Sequence, residues 1–358
     1  MTSKVMSGYE QRAYAALTSA PDDSRSLVPQ WAREKAAQIG ASVRSGVSKI
    51  PGNEAVAEAY ARAAAGLMDF TSGNGVKSVS LKGSIKRHQQ AGHDVKSGED
   101  FLRLDLRACD EMLPRRKRVH EISAVAEGAA SSLVITGATV SSTVSGGATA
   151  AVVVGTVAAD SVIVLAGIGR IVGEVAISYG YDPSLPEEEV FAAQVIGLGM
   201  AVGSGAKTAA LASLSRLTQD MMRRATWTQL NQHLLVEIVN RAFASLGLKL
   251  TQKKLAQIVP VAGVVISAGV NLQLVQRMHA AAMHAYRLRF LTEKYALDGS
   301  NSFEEELFAT TVEEREDVLN VEAMLAEVVE ENRPAVVGGE HANEEEPDAD
   351  RNRTGATS

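Results

Sequence analysis

The chain has 358 residues, 46% of them hydrophobic but only 4% aromatic, with a single cysteine and a net charge of −6. That apolar share excludes a disordered chain. One cysteine excludes an intramolecular disulfide or a cysteine-rich zinc site and fits a reducing compartment, and the charge balance argues against a dedicated nucleic-acid binder.

The average charge conceals an asymmetry. Ser302–Ser358 carries 17 acids and 4 bases, whereas the other 301 residues carry 32 bases and 25 acids. A mildly basic body therefore precedes a strongly acidic segment. No apolar run follows Lys4, so no signal peptide is expected and a cytoplasmic location is.

In chain order, Ser24 or Ser26 can cap a helix from about Leu27 to Ile50, which Pro51-Gly52 stops and Asn53 restarts. Ser72-Gly73-Asn74-Gly75 is a loop signal. Ser97 with Asp100 three residues on has the spacing of a capping box. Leu102, Leu106, Cys109 and Leu113 follow at helical spacing until Pro114. Between Glu127 and Asp160 lie 32 residues without a charge, rich in Ser, Thr, Gly and Ala, with Gly146-Gly147 near the centre. A second apolar run continues to Ser178 and breaks at Tyr179-Gly180-Tyr181-Asp182-Pro183. Ser184-Leu185-Pro186-Glu187 is expected to open the next helix as a capping box. Small apolar residues return over Val190–Leu214 and Ile258–Val275, and residues 276–295 are expected to form an amphipathic basic helix.

These periods predict an all-α fold: a multi-helix globular domain with a buried Gly/Ala-rich hairpin, an acidic C-terminal helix and a disordered tail. The expected organisation is a partly helical extension over 1–26, the helical domain over 27–300, an acidic amphipathic helix over 301–333 and a disordered acidic tail over 334–358.

Several of these stretches resemble the EcsC family. They are the Ile50-Pro51-Gly52 break, the glycine-rich segment containing Asp160, the run Ile177–Glu188 around Tyr-Gly-Tyr-Asp-Pro, and the run Ile258–Asn271 followed by a basic helix. The resemblance covers roughly residues 30–295. It implies a bacterial helical fold in a membrane-adjacent setting, since the family is named for a gene product encoded beside an ABC transporter. It implies no reaction, and it does not reach the acidic segment after residue 302.

The uncharged run is long enough to cross a bilayer, which needs about 20 apolar residues. Eight Ser and Thr residues between Ser131 and Ser145 make its first half polar for a span, and Asp160, Arg170 and Glu174 lie in the second stretch. A buried hairpin, reversible insertion and a permanent span therefore stand as alternatives. Arg170 and Glu174, four apart, are expected to form a salt bridge on one helix face. Asp160 needs a partner from elsewhere, with Lys253, Arg277 or a helix N-terminus as candidates. The alternative enzymatic reading places a carboxylate-based site at Asp160, Arg170 and Glu174, beside the loop residues Tyr179 and Asp182.

Gly203–Thr208 lacks the glycine that a P-loop needs directly before its lysine, and no dinucleotide fingerprint follows Gly167. No cofactor is implied. The seven histidines are scattered without metal-ligand spacing, so no metal site is implied either. Cys109, on an apolar stripe, is expected in the core. Glu187, Glu188 and Glu189 are expected to stabilise a helix N-terminus.

Three basic concentrations suggest an anionic membrane surface: Lys77, Lys82, Lys86 and Arg87; Arg115, Arg116, Lys117 and Arg118; and Arg277 to Lys294 of the late helix, with Arg287 and Arg289. The expected partners are that surface or a membrane transporter complex, and the chain's own acidic C-terminal segment. Nucleic acid is not expected, because stacking aromatics are scarce.

Overall fold

The structure, a computed structural model, describes residues 5–19, 58, 61, 75–113, 148–201, 203–223, 232–258, 268–297 and 318–331; the side chains of 148–160, 204, 232–233, 253–258, 268–273 and 322 lie outside that description. Among the described residues every regular element is helical. The helices are α1 (Gly8–Thr18), α2 (Leu81–Gln90), α3 (Leu106–Glu111), α4 (Ala148–Ser178), α5 (Pro186–Met200), α6 (Ser204–Arg223), α7 (Gln232–Ile258), α8 (Ala268–Tyr295) and α9 (Val321–Glu331). Short 3-10 turns cover Val76–Ser78 and Gly98–Arg103.

Helix α5 occupies the centre. Every residue from Glu188 to Met200 is buried, and the helix is apolar nearly all round, the pattern of a helix enclosed by others. Helices α4, α6, α7 and α8 pack around it. Large buried side chains such as Phe191, Ile196, Ile238, Leu217 and Phe290 fill the interior, each contributing about 1.5–3 kcal/mol on burial. Small residues let the elements close up. A Cβ added at Gly173 would come within 2.6 Å of the Val76 carbonyl oxygen, so this glycine admits the 3-10 turn against α4.

The apolar run ends as helix α4, 31 residues long. Its segment Ser161–Ser178 has a mean hydropathy of 1.7 and meets the length and apolarity needed to cross a membrane, yet 78% of it is buried inside the protein. That half of the expected hairpin packs as a core helix against α5, α7 and α8. The other half, with Gly146-Gly147, lies outside the described residues, as do the helix expected over 27–50 and the tail over 334–358.

Local expectations fare unevenly. The capping box is present at Ser97 and Asp100. The stripe from Leu102 to Leu113 is not one helix, because Leu104 and Asp105 are extended and Asp105 caps a new short helix by accepting from the Arg107 amide. The box expected at Ser184 does not form. Leu185 is the N-cap of α5, Pro186 provides a preset first turn, and Ser184 is turned toward Asp182 instead. Gly203–Thr208 is mostly helical: α5 ends at Met200, and only Gly203 of this segment precedes α6, which starts at Ser204. The late helix is longer than expected, starting at Ala268.

Candidate functional site

The chain turns from α4 into α5 through Tyr179–Leu185, and this turn gathers charged side chains from across the sequence. Gly180 makes the turn possible. Its φ of +90° is a conformation other residues resist, and a Cβ there would meet both the Gly98 carbonyl oxygen at 2.6 Å and the Phe101 ring. Tyr179 and Tyr181, on either side, are consequently buried.

Tyr179 leads into the first charge cluster. Its hydroxyl donates to Asp110 Oδ1 at 2.6 Å, and Tyr9 of α1 donates to Asp110 Oδ2 at 2.6 Å. Arg287 on α8 clasps the same carboxylate in bidentate fashion, Nε to Oδ1 at 3.0 Å and Nη2 to Oδ2 at 2.8 Å. One carboxylate on α3 thus ties α1, the end of α4 and α8 together with four charge-assisted bonds. Burial, then the hydrogen bond to Asp110 and its charge, push the Tyr9 hydroxyl up, so it remains a donor.

Tyr181 leads into the second. Arg289 donates through Nη1 and Nη2 to both Glu188 oxygens, at 2.7 and 2.6 Å, and through Nε to Glu293 at 2.7 Å. Its guanidinium lies 4.0 Å from the Tyr181 ring centroid and 4.5 Å from that of Phe191, a cation–π sandwich. Tyr181 donates to Glu293 at 3.1 Å. Burial disfavours the guanidinium charge here, but Glu188 and Glu293 more than offset it and hold Arg289 firmly protonated. Burial also raises the Glu188 carboxyl, with Arg289 opposing. Beside it, Glu189 pairs with Lys77 at 2.7 Å, anchoring the 3-10 turn to α5.

These contacts correct two expectations. Arg287 and Arg289 do not form a lipid-facing basic surface; Arg289 is 4% exposed and both are consumed by internal carboxylates. Glu188 and Glu189 do more than favour a helix dipole, since each is the buried partner of a specific cation. In both cases the reason is the same: an ionised group inside a core must be paired.

The remaining expected residues are dispersed. Arg170 and Glu174 face each other one turn apart on α4, with Nε and Oε1 3.6 Å apart. Asp160 is on the same helix, and its side chain lies outside the described residues. Asp182 accepts from the Ser184 amide and hydroxyl at 3.0 and 2.7 Å, a self-contained turn of the connector. Lys82 and Lys86 are exposed one turn apart on α2, and Arg87 is half-buried beside them. Arg115, Arg116, Lys117 and Arg118 lie outside the described residues. The structure therefore joins Tyr179 to Arg287 at Asp110, while Arg170 pairs with Glu174.

Sequence reasoning missed Asp110, Tyr9 and Glu10. A usable signal was present in α8: Arg287 and Arg289 alternate with Tyr286, Leu288 and Phe290, and an arginine between large apolar residues calls for an internal carboxylate. Cys109 is buried, as expected, and burial together with Asp110 pushes its thiol up to about 12, so it is no thiolate nucleophile. Among the described residues no three His, Cys, Asp or Glu side chains are grouped to hold a metal ion.

The sequence model of the EcsC protein family matches residues 70–291. The chain is also similar to an uncharacterised protein, YdbA of Bacillus subtilis (strain 168), at 31% identity over 136 residues; these are 38% of this chain and 47% of that protein, so the match spans about half the relative's length. No solved structure matches the chain.

Proposed function

We propose that this chain, which belongs to the EcsC protein family, is a non-enzymatic helical protein that attaches peripherally to the cytoplasmic membrane surface or to a transporter complex there. The observation that supports this reading is the division of its cations. Arg287, Arg289 and Lys77 are spent on internal carboxylates. Lys82 and Lys86 are exposed on one face of α2 and make no ion pair among the described residues. The basic run at 115–118 supplies further charge. The enzymatic alternative near Asp160 and Glu174 has less support, because Glu174 is engaged by Arg170.

Each lysine near an anionic leaflet contributes roughly 1 kcal/mol. Replacing Lys82→Gln and Lys86→Gln together is expected to weaken co-sedimentation with phosphatidylserine vesicles about 30-fold, from about 2 kcal/mol, and to leave helicity unchanged. Cell fractionation supplies the decisive test. Release from membranes by a salt wash supports electrostatic attachment, and release by detergent alone points to insertion. A protein found wholly in the soluble fraction at low salt overturns the reading.

A second reading, a scaffold controlled by its acidic C-terminal segment, draws on α9. Arg241 of α7 is bound by Glu327 and Glu331 of that helix. Truncation at Ser300 would then increase vesicle binding; unchanged binding counts against this control.

A further inference from the structure

Helix α1 lies outside the family-matched segment, and residues 20–74 intervene before the described body begins at Gly75. Its Glu10 is nevertheless one of the most enclosed charges in the molecule, 1% exposed. Oε1 accepts from Lys294 Nζ at 2.6 Å and from the Leu106 amide at 3.1 Å; Oε2 accepts from the Tyr295 hydroxyl at 2.6 Å and from the Ser7 amide at 3.0 Å. Three of these four donors belong to the body, at the start of α3 and the end of α8. The fourth is the helix's own capping box, completed by the Glu10 amide donating to Ser7 Oγ at 3.2 Å.

The body's three donors converge on one point from different elements. Lys294 is held there by a second bond, from Nζ to the Leu104 carbonyl at 2.6 Å, and its side chain is 8% exposed. Of the bonds that position these donors, the one from Lys294 to the Leu104 carbonyl lies wholly within the body. The helix's other anchors are the Tyr9 bond to Asp110 and a small apolar contact: Leu17 is its one buried apolar side chain, with Tyr9, Ala13 and Tyr14 partly covered. An 11-residue helix is too short to persist unaided, so α1 behaves as a ligand that folds where it docks.

We infer that Lys294, Tyr295 and the Leu106 amide form a carboxylate-recognising cradle for the glutamate of a Ser-x-x-Glu helix start, filled in cis by α1 and open to the same segment offered in trans by a second copy of the chain. In α1 the same carboxylate also accepts from the Ser7 amide, so the capping box presents it already oriented at a helix start. It suits a monoanion, since the cradle offers one ammonium and two neutral donors to two oxygens.

The test uses the full chain and a labelled peptide of residues 1–19. With Tyr9→Ala and Glu10→Ala the chain's own α1 loses its hold, and the peptide is expected to bind that variant at least tenfold more tightly than wild type by fluorescence anisotropy. Adding Lys294→Ala to the receptor, or Glu10→Gln to the peptide, is expected to weaken binding at least tenfold. Equal binding to both chains, no binding to the vacated chain, or indifference to Glu10→Gln each overturns the inference. Should the vacated chain fail to fold, the wild-type chain decides. Millimolar unlabelled peptide is expected to speed amide exchange over Gly8–Thr18 while the Glu10→Gln peptide does not, and unchanged exchange overturns the inference. Cross-links between differently tagged full chains distinguish exchange between copies from capture of another acidic helix.

Discussion

Helices α1 and α9 flank the family-matched segment at opposite ends of the chain, are each 11 residues long, and dock on the body by opposite means. Helix α1 inserts a carboxylate into a buried set of donors and adds Tyr9 on Asp110. Helix α9 lays Val321 and Val328, with the preceding Leu319, into an apolar surface where all three are buried; Gly197 of α5 makes room, since a Cβ there would stand 2.9 Å from that of Leu319. Its charged contacts are peripheral. Arg241 is 32% exposed and its partners Glu327 and Glu331 are 64% and 52% exposed. An attachment of the first kind is directional and fails when one partner is lost; one of the second kind is insensitive to charge and depends on shape.

The largest expected effect separates the two helices. Lys294→Ala leaves Glu10 without its cation, and removing one partner of a buried pair costs about 3–5 kcal/mol. The protein avoids the full penalty by releasing α1 to water. Hydrogen exchange is therefore expected to show lost protection over Gly8–Thr18 and unchanged protection over Val321–Glu331. Equal protection of α1 in the variant would show that its apolar contacts suffice.

Leu319→Ala tests the other side. Large-to-small changes of this kind cost about 2–5 kcal/mol, and the loss is expected to fall on α9 and the α5–α7 surface beneath it while α1 keeps its protection. The two variants share no contact, so their effects should add within about 0.5 kcal/mol in denaturant titrations.

Acid distinguishes the attachments from the body. His88 on α2 is buried against Phe101, 4.6 Å between ring centroids, and both its nitrogens lack a hydrogen-bond partner among the described residues. Burial, then His93 and Arg87, lower its pKa to about 4. The unfolded chain binds this proton first, so stability is complete above about pH 6.5 and declines by about 2–3 kcal/mol as pH falls to about 4. Glu10 titrates later. Burial alone would raise its carboxyl, but Lys294, Tyr295 and two backbone amides bring it down to about 2. Its contribution is complete above about pH 4.5 and is lost as pH falls toward 2. Denaturant midpoints at successive pH values should decline first through His88, and His88→Phe should flatten that first decline. An unchanged slope would remove His88 as its cause.

Arg241→Ala has the smallest expected effect, because partly exposed ion pairs are screened. Raising salt from 0.05 to about 0.5 M, which shortens the screening length, should reproduce it in wild type. A larger loss would mean that α9 is held by charge after all.

Helical elements were legible wherever the local pattern sufficed. The capping box at Ser97 and Asp100, the turn before Ser204, the burial of Cys109 and the Arg170–Glu174 pair each depend on residues at most a few positions apart. The misreadings share a different feature. Arg287 and Arg289 look like a basic face when α8 is read alone, because their partners Asp110 and Glu188 lie 177 and 101 residues away. Ser184 had the spacing of a cap, but the nearer Asp182 carboxylate took its hydroxyl.

What the sequence determined by itself is the all-helical class, the small-residue central helices and the split between a basic body and an acidic end, because composition and period are local properties. What the tertiary structure decided is where the charges are spent. The basic helix turned inward, the tyrosines flanking Gly180 became clasps, and a glutamate ten residues from the start met a lysine near the end of α8. Pairing of buried charge is enforced by desolvation, which acts on distance in space and is blind to distance along the chain.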